Sequence, residues 1–247
     1  MIIALVALVL APQAPDAGAT VTKMLTKYHE AKTISGRITF TQSAASAKVI
    51  IQTEVAAQKP NLLYVRQTRQ PASQGGANEM VAVSDGKKMG YPAPAGSATF
   101  LVTNPNRFFE PAKADLDSSF SAFSGMLLDR SLGVAIGLYS PTEIHATIGR
   151  LRALRISEVT INEKPVWRID FQLVVSNALP AVPEQGWQAR PEGRIPGVMT
   201  ISKTNDLLGV AWAEKVGTKE QQVDVLSEWT VSLEVDKPID QALFKVQ

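Results

Sequence analysis

The side chains that usually carry catalysis are scarce in this chain. It has no cysteine and two histidines, His29 and His145. That excludes a disulfide scaffold, a thiol nucleophile, a zinc–thiolate site and a cysteine-borne lipid anchor, and no HExxH or other two-histidine metal motif can be written. The closest approach to a carboxylate pair, Asp115 and Asp117, precedes a helical stretch and reads as a cap and dipole partner. Ser84-Asp85 has no histidine near it in sequence, so a serine triad would have to borrow His145. Gly75-Gly76 is isolated from any GxGxxG or Walker A pattern. Arg150, Arg152 and Arg155 cluster as the solvated end of a helix or as a docking patch for acidic lipid or protein. The expectation is a protein without enzymatic activity, cofactor or metal.

Charge excludes a further class. Lys+Arg number 25 against 23 Asp+Glu, a net charge of +2, with no long basic run, so there is no electrostatic footprint for nucleic acid. Hydrophobic residues make up 45% and charged residues 19% of the 247, the composition of an ordinary globular chain.

Ile2 to Ala11 is an unbroken apolar run. It is too short for the roughly 20 residues of a spanning helix but suits the core of a signal peptide. Pro12 and Pro15 follow, then Ala17-Gly18-Ala19, which has the small-x-small form of a cleavage site. The reading is export with cleavage near Ala19, leaving residues 20–247 as one domain whose later segments never reach membrane-spanning length.

The elements available to position a site follow from periodicity. Val21, Met24, Leu25, Tyr28 and Ala31 fall at helical spacing, predicting an amphipathic helix from Thr20 to about Lys32. From Ser35-Gly36 onward the period becomes two. Ile38 and Phe40, then Val49, Ile51 and Val55, alternate with polar residues as antiparallel strands with one wet face. Strands are expected at Asn61–Gln70 and Glu79–Ser84, with a two-residue hairpin turn at Asp85-Gly86. Helical composition occupies Asn104 to Leu151, where Phe120, Phe123, Met126 and Leu127 make an apolar stripe that is either a lid or permanent core. Alternation then returns. Trp167, Ile169, Phe171 and Leu173 share one face, Asn205-Asp206 marks a hairpin, and Val223 to Val235 is the clearest strand. Pro180 to Pro196 reads as a long loop. The total is about ten strands: an α+β fold with one curved antiparallel sheet that must fill its apolar face with side chains, helices or a ligand.

Several segments together resemble the LolA/LolB-like carriers of outer-membrane lipoproteins. These are Lys59-Pro60-Asn61-Leu62, Val81-Ala82-Val83-Ser84-Asp85-Gly86-Lys87, the first strand Ile38-Thr39-Phe40-Thr41-Gln42 and the ending Ile239-Asp240-Gln241-Ala242-Leu243-Phe244. The resemblance spans nearly the whole chain after the leader, in the family's order. It implies an incomplete, half-open β-barrel with helices as lid, and a hydrophobic concavity that holds lipid acyl chains in transit through the periplasm. Inner-membrane donor and outer-membrane acceptor proteins would be the partners of a monomeric carrier. On this reading Phe40, Ile51, Leu63, Val65, Val83, Trp167, Phe171, Trp229 and Val231 form the inner face, and Phe120, Phe123 and Met126 the lid. The family places Arg where Lys59 stands; lysine keeps the charge but loses the planar fork, so a lid latch there would be weaker. Leu63 and Val65 replace frequent aromatic residues and make the cavity less aromatic. The same curved sheet also resembles the amino-terminal domain of RseB-type sensors of mislocalised lipoproteins, the alternative function.

Overall fold

The alternating segments form strands, and the chain links them in a simple order. The computed structural model describes residues 15–45, 47–72, 78–86, 89–90, 151–175, 193–217 and 222–245. The first half supplies β1 (Thr33–Ala44), β2 (Ala47–Gln58), β3 (Leu62–Gln70), β4 (Glu79–Asp85) and the short β5 (Met89–Gly90). The second half supplies β6 (Leu151–Ile161), β7 (Lys164–Val175), β8 (Gly193–Ser202), β9 (Leu207–Gly217) and β10 (Gln222–Val235). Each half is an antiparallel meander, and β1 pairs with β10 to join them in one 10-stranded sheet of order β5-β4-β3-β2-β1-β10-β9-β8-β7-β6. The sheet is open, with β5 and β6 at its edges.

Register decides which residues share a face, because directly opposed residues point the same way. Successive pairings carry one row from Arg69 through Ile51, Phe40, Trp229, Val210 and Met199 to Ile169. The parallel row on its α1-proximal side runs Gln67, Thr53, Ile38, Val231. On this face Ile34, Ile38, Ile51, Leu63, Val65, Ile169 and Ile201 are at most 2% exposed, the inner core of the sheet. The other face of β1–β4 carries ion pairs, Arg37 with Glu54 (3.0 Å) and Arg66 with Glu79 (2.7 Å). These pairs are exposed and contribute little each.

Val83 departs from the expected arrangement. Leu63 pairs with Ser84 and Val65 with Ala82, which leaves Val83 opposite Tyr64 on the outer face. It is buried there, as are Ala56 and Phe244. Phe244 ends a 3-10 helix, Gln241–Phe244, which Asp240 caps by accepting from the Ala242 N–H at 2.9 Å and which lies against β3 and β4. Two loops also differ. Ser84 pairs with Met89, so the turn between β4 and β5 is longer than the two residues expected. The loop expected to reach Pro196 ends at Gly193, where β8 begins. Pro196 is accommodated because β9 pairs with β8 only from Gly197 onward.

The first helix, α1 (Ala17–Glu30), starts three residues before the expected Thr20. Asp16 explains the shift: its carboxylate accepts the Ala19 N–H at 2.7 Å and its carbonyl accepts from Thr20. The expected cleavage near Ala19 falls inside this first turn, and the apolar run Ile2–Ala11 lies outside the described residues. Thr20, Val21, Met24 and Tyr28 form the helix's buried face. The Tyr28 hydroxyl accepts the Leu207 N–H at 3.2 Å, where β9 begins. Lys27 reaches the β8–β9 turn, bonding the Thr204 carbonyl at 3.1 Å and the Asp206 carboxylate. Lys59 donates to the carbonyl of His29, and the Lys32 N–H donates to Asp236 at 2.7 Å. A lysine at the helix's last carbonyls also complements its dipole. These contacts fix α1 over the end of the inner face where β1 and β9 start and β10 finishes. The stripe Phe120, Phe123, Met126 and Leu127, together with Asp115, Asp117, His145 and Arg150, lies outside the described residues.

Two titrations report on this closure. Burial is the main reason the Tyr28 hydroxyl is pushed up to about 12, with the Leu207 bond opposing and Asp206 adding to the rise. The folded state therefore resists forming the phenolate: stability is intact below about pH 10 and declines as pH rises through the folded value. Tyr28→Phe should destabilise by about 1–3 kcal/mol through the orphaned Leu207 N–H, and should flatten that alkaline decline in denaturant titrations. For Asp206, burial alone would raise the carboxyl, but bonds from Lys27, Thr204 and Ser202 outweigh it and hold it below its usual range. Its contribution is complete above roughly pH 4 and is lost as pH falls below that. Asp206→Asn should remove this part of the acid dependence, measured by unfolding between neutral and acidic pH.

Candidate functional site

Two rows of inner-face residues follow the Gln67–Val231 row on the side away from α1. The first is Arg69, Ile51, Phe40 and Trp229; the second is Gln42, Ser227, Trp212, Gly197 and Phe171. Three rings meet there. Phe40 and Trp229 have centroids 4.8 Å apart, and Trp212 and Trp229 4.2 Å apart, both tilted. Phe171 lies across Gly197: a Cβ on that glycine would come within 2.4 Å of the Phe171 ring and 2.9 Å of the Ala211 carbonyl oxygen. Glycine in the strand is therefore what lets the ring lie down on the sheet.

The face is not wholly apolar. Thr53 and Gln67, both fully buried, satisfy one another through a Gln67 Nε2 to Thr53 Oγ1 bond of 2.9 Å. Two donors in the row from Arg69 to Trp229 lack such a partner. The Arg69 Nε and the Trp229 Nε1 are both buried without a hydrogen bond.

The sequence-predicted residues sort as follows. Phe40, Ile51, Leu63, Val65, Trp167, Phe171, Trp229 and Val231 share the inner face by register. Leu63 and Trp167 are nearer the α1 end. The latter is half-buried, with the Lys203 ammonium 2.9 Å from its ring centroid. Val83 is on the outer face. Lys59 acts on the carboxyl end of α1, while the lid stripe it was expected to hold, Phe120, Phe123 and Met126, is outside the described residues. β3 is aliphatic as expected, and the aromatic content comes from β1, β9 and β10 instead. Trp212, Gly197 and Arg69 were not singled out. Their signal was the continuation of alternation: Leu63, Val65, Gln67 and Arg69 are spaced by two, as are Val210 and Trp212.

The arrangement supplies little acid–base chemistry. Ser84 Oγ donates to the Asn61 carbonyl at 3.0 Å and accepts from the Gly86 N–H at 3.3 Å, which makes it part of a turn. Among the described residues no group of three or more His, Asp or Glu side chains is placed to hold a metal ion. Arg152 is exposed on β6, and Arg155 pairs with Asp170 at 2.8 Å. What this face can do is remove hydrocarbon from water.

No protein-family model matches the sequence, and no curated protein is similar to it. Solved structures are similar in outline. LprF from Mycobacterium bovis is 14% identical with a TM-score of 0.39, over 92% of this chain and 99% of that one. MucB is 10% identical with a TM-score of 0.39, over 94% of this chain and 63% of that one. A LolA superfamily protein from Nitrosomonas europaea is 6% identical with a TM-score of 0.29, over 94% and 99% of the two chains. At these identities and scores, function has to be argued from the chain's own residues.

Gly197→Ala tests the site's geometry. The methyl group would displace the Phe171 ring and press on backbone, so the variant should lose about 1–3 kcal/mol of stability, read from chemical denaturation, and the tryptophan emission should shift as the neighbouring Trp212 environment changes.

Proposed function

We propose that this protein is an exported carrier that binds lipid acyl chains on the inner face of its open sheet, for transfer through the periplasm toward the outer membrane. The observation that carries the reading is the Phe40, Trp212, Trp229 and Phe171 cluster, on an apolar face whose other end α1 already covers. Burial of a methylene contributes roughly 0.8 kcal/mol, so an acyl chain is strongly driven out of water into such a face. Observed affinity is a difference, because the unloaded protein must cover the same residues with its own chain. Lipoprotein acyl chains are the cargo that the sequence resemblance implies. Helices as a movable lid, the stripe Phe120, Phe123 and Met126 within it, donor and acceptor proteins at the two membranes, and removal of a leader near Ala19 all belong to this reading. No chemistry is required of the protein, in keeping with a non-enzymatic role. No helix among the described residues is long and apolar enough to cross a membrane.

The test uses nitroxide-labelled stearate, which quenches indoles in contact with it. Addition at micromolar protein should quench the emission strongly, and the double variant Trp212→Phe, Trp229→Phe, which retains Trp167 and Trp187, should lose most of that quenching. Absence of quenching in the wild type, or undiminished quenching in the double variant, would remove the inner face as the site. Capture of a single-span membrane protein, without bound lipid, would favour the sensor alternative.

A further inference from the structure

Arg69 is out of place on its face. Alternation along β3 and pairing with Ile51 put it on the inner side, and the inward positions of β1 to β4 and β10 otherwise hold apolar side chains, glycine, threonine, serine and glutamine. It is the single charge on that part of the surface. Four outward arginines have partners: Arg37, Arg66, Arg155 and Arg168 each meet a carboxylate, while Arg152 and Arg194 are exposed to solvent. Among the described residues Arg69 meets none, and its Nε is buried without a hydrogen bond. A guanidinium cannot shed its charge near neutral pH, so it cannot escape by titration. A buried donor without a partner costs free energy until an acceptor arrives. A second unmet donor, Trp229 Nε1, lies in the same cross-strand row, beyond Ile51 and Phe40. Three strand spacings separate the two, so one headgroup serves Arg69 alone, and it must bring oxygen acceptors, which an alkyl tail does not have.

The geometry points to Arg69 as the recognition site for an oxyanion headgroup, phosphodiester or carboxylate, of a lipid whose tail lies along Ile51, Phe40 and Trp229. The planar fork of arginine takes such groups in two parallel bonds. This inference rests on the carrier reading and sharpens it: the preferred cargo is an anionic amphiphile and not a neutral one.

The experiment compares three probes with the same oleoyl tail on the full chain: lyso-phosphatidylglycerol, oleate and neutral mono-oleoylglycerol, with inorganic phosphate alone as a fourth. Wild type should bind the two anionic probes more tightly than the neutral one. Arg69→Gln should weaken the anionic probes by roughly ten- to hundredfold and leave mono-oleoylglycerol unchanged. Arg69→Lys, which keeps charge without the fork, should fall between, and Arg152→Gln on exposed β6 should match wild type. Thermal unfolding of each variant accompanies the titrations, and if Arg69→Gln does not fold, the Arg69→Lys comparison decides. Equal losses for charged and neutral probes, or no loss for either, overturn the assignment of Arg69. Phosphate alone binding as tightly as the lysolipid overturns the lipid headgroup in favour of a free anion. Failure of wild type to bind any oleoyl probe overturns the carrier reading itself, a result distinct from preserved but charge-blind binding.

Discussion

The pairing of β1 with β10 holds the rest of the molecule together. It runs from Ile34 opposite Val235 to Ala44 opposite Val225 and unites strands from the two ends of the chain. Without it each meander would have an apolar face too narrow to curve around anything. The joint is close at one point: Gly36 has φ +146, and a Cβ there would sit 2.1 Å from the Ser232 carbonyl oxygen. Only glycine tolerates both that backbone conformation and that approach. Because the contact is so distant in sequence, the loop-closure cost comes before its reward, and folding of such a topology is expected to be slow.

A ten-stranded open sheet with one apolar face must be covered, and the chain does this unevenly. At one end α1 is held by a hydrogen bond from the Leu207 N–H to Tyr28, by the Lys27–Asp206 pair and by Lys59 on its last carbonyls. These interactions are specific and directional, as suits a permanent cap. At the other end the face holds Phe40, Trp212, Trp229 and Phe171, large rings of which Phe40, Phe171 and Trp229 are buried. Rings of this kind gain by covering hydrocarbon without demanding a particular geometry from it.

Polar groups on the inner face show the same division. Gln67 and Thr53 satisfy each other in the middle row and need nothing further from outside for that bond. Arg69 and Trp229, one row farther from α1, retain buried donors without acceptors. Buried polar groups in folded proteins are normally paired. The exception at Trp229 coincides with the aromatic cluster.

Much of this was legible in the sequence for a local reason. Side-chain alternation in β1, β2, β7 and β10 identifies strands and sorts their residues into two sets, and the helical spacing of Val21, Met24 and Tyr28 identifies α1 and its buried side. The lack of cysteine and the sparse histidine exclude whole chemistries by composition. The tertiary structure decided which of the two sets faces inward, and it did so by pairing strands across long stretches of chain. Val83 and Val65 look alike in sequence, yet cross-strand register puts one outside under Phe244 and the other in the core. Trp212 and Arg69 carry no local mark of importance, and they join Phe40 and Trp229 only once β1 meets β10. Period two fixes that neighbours point oppositely; only non-local hydrogen bonding fixes which direction is in.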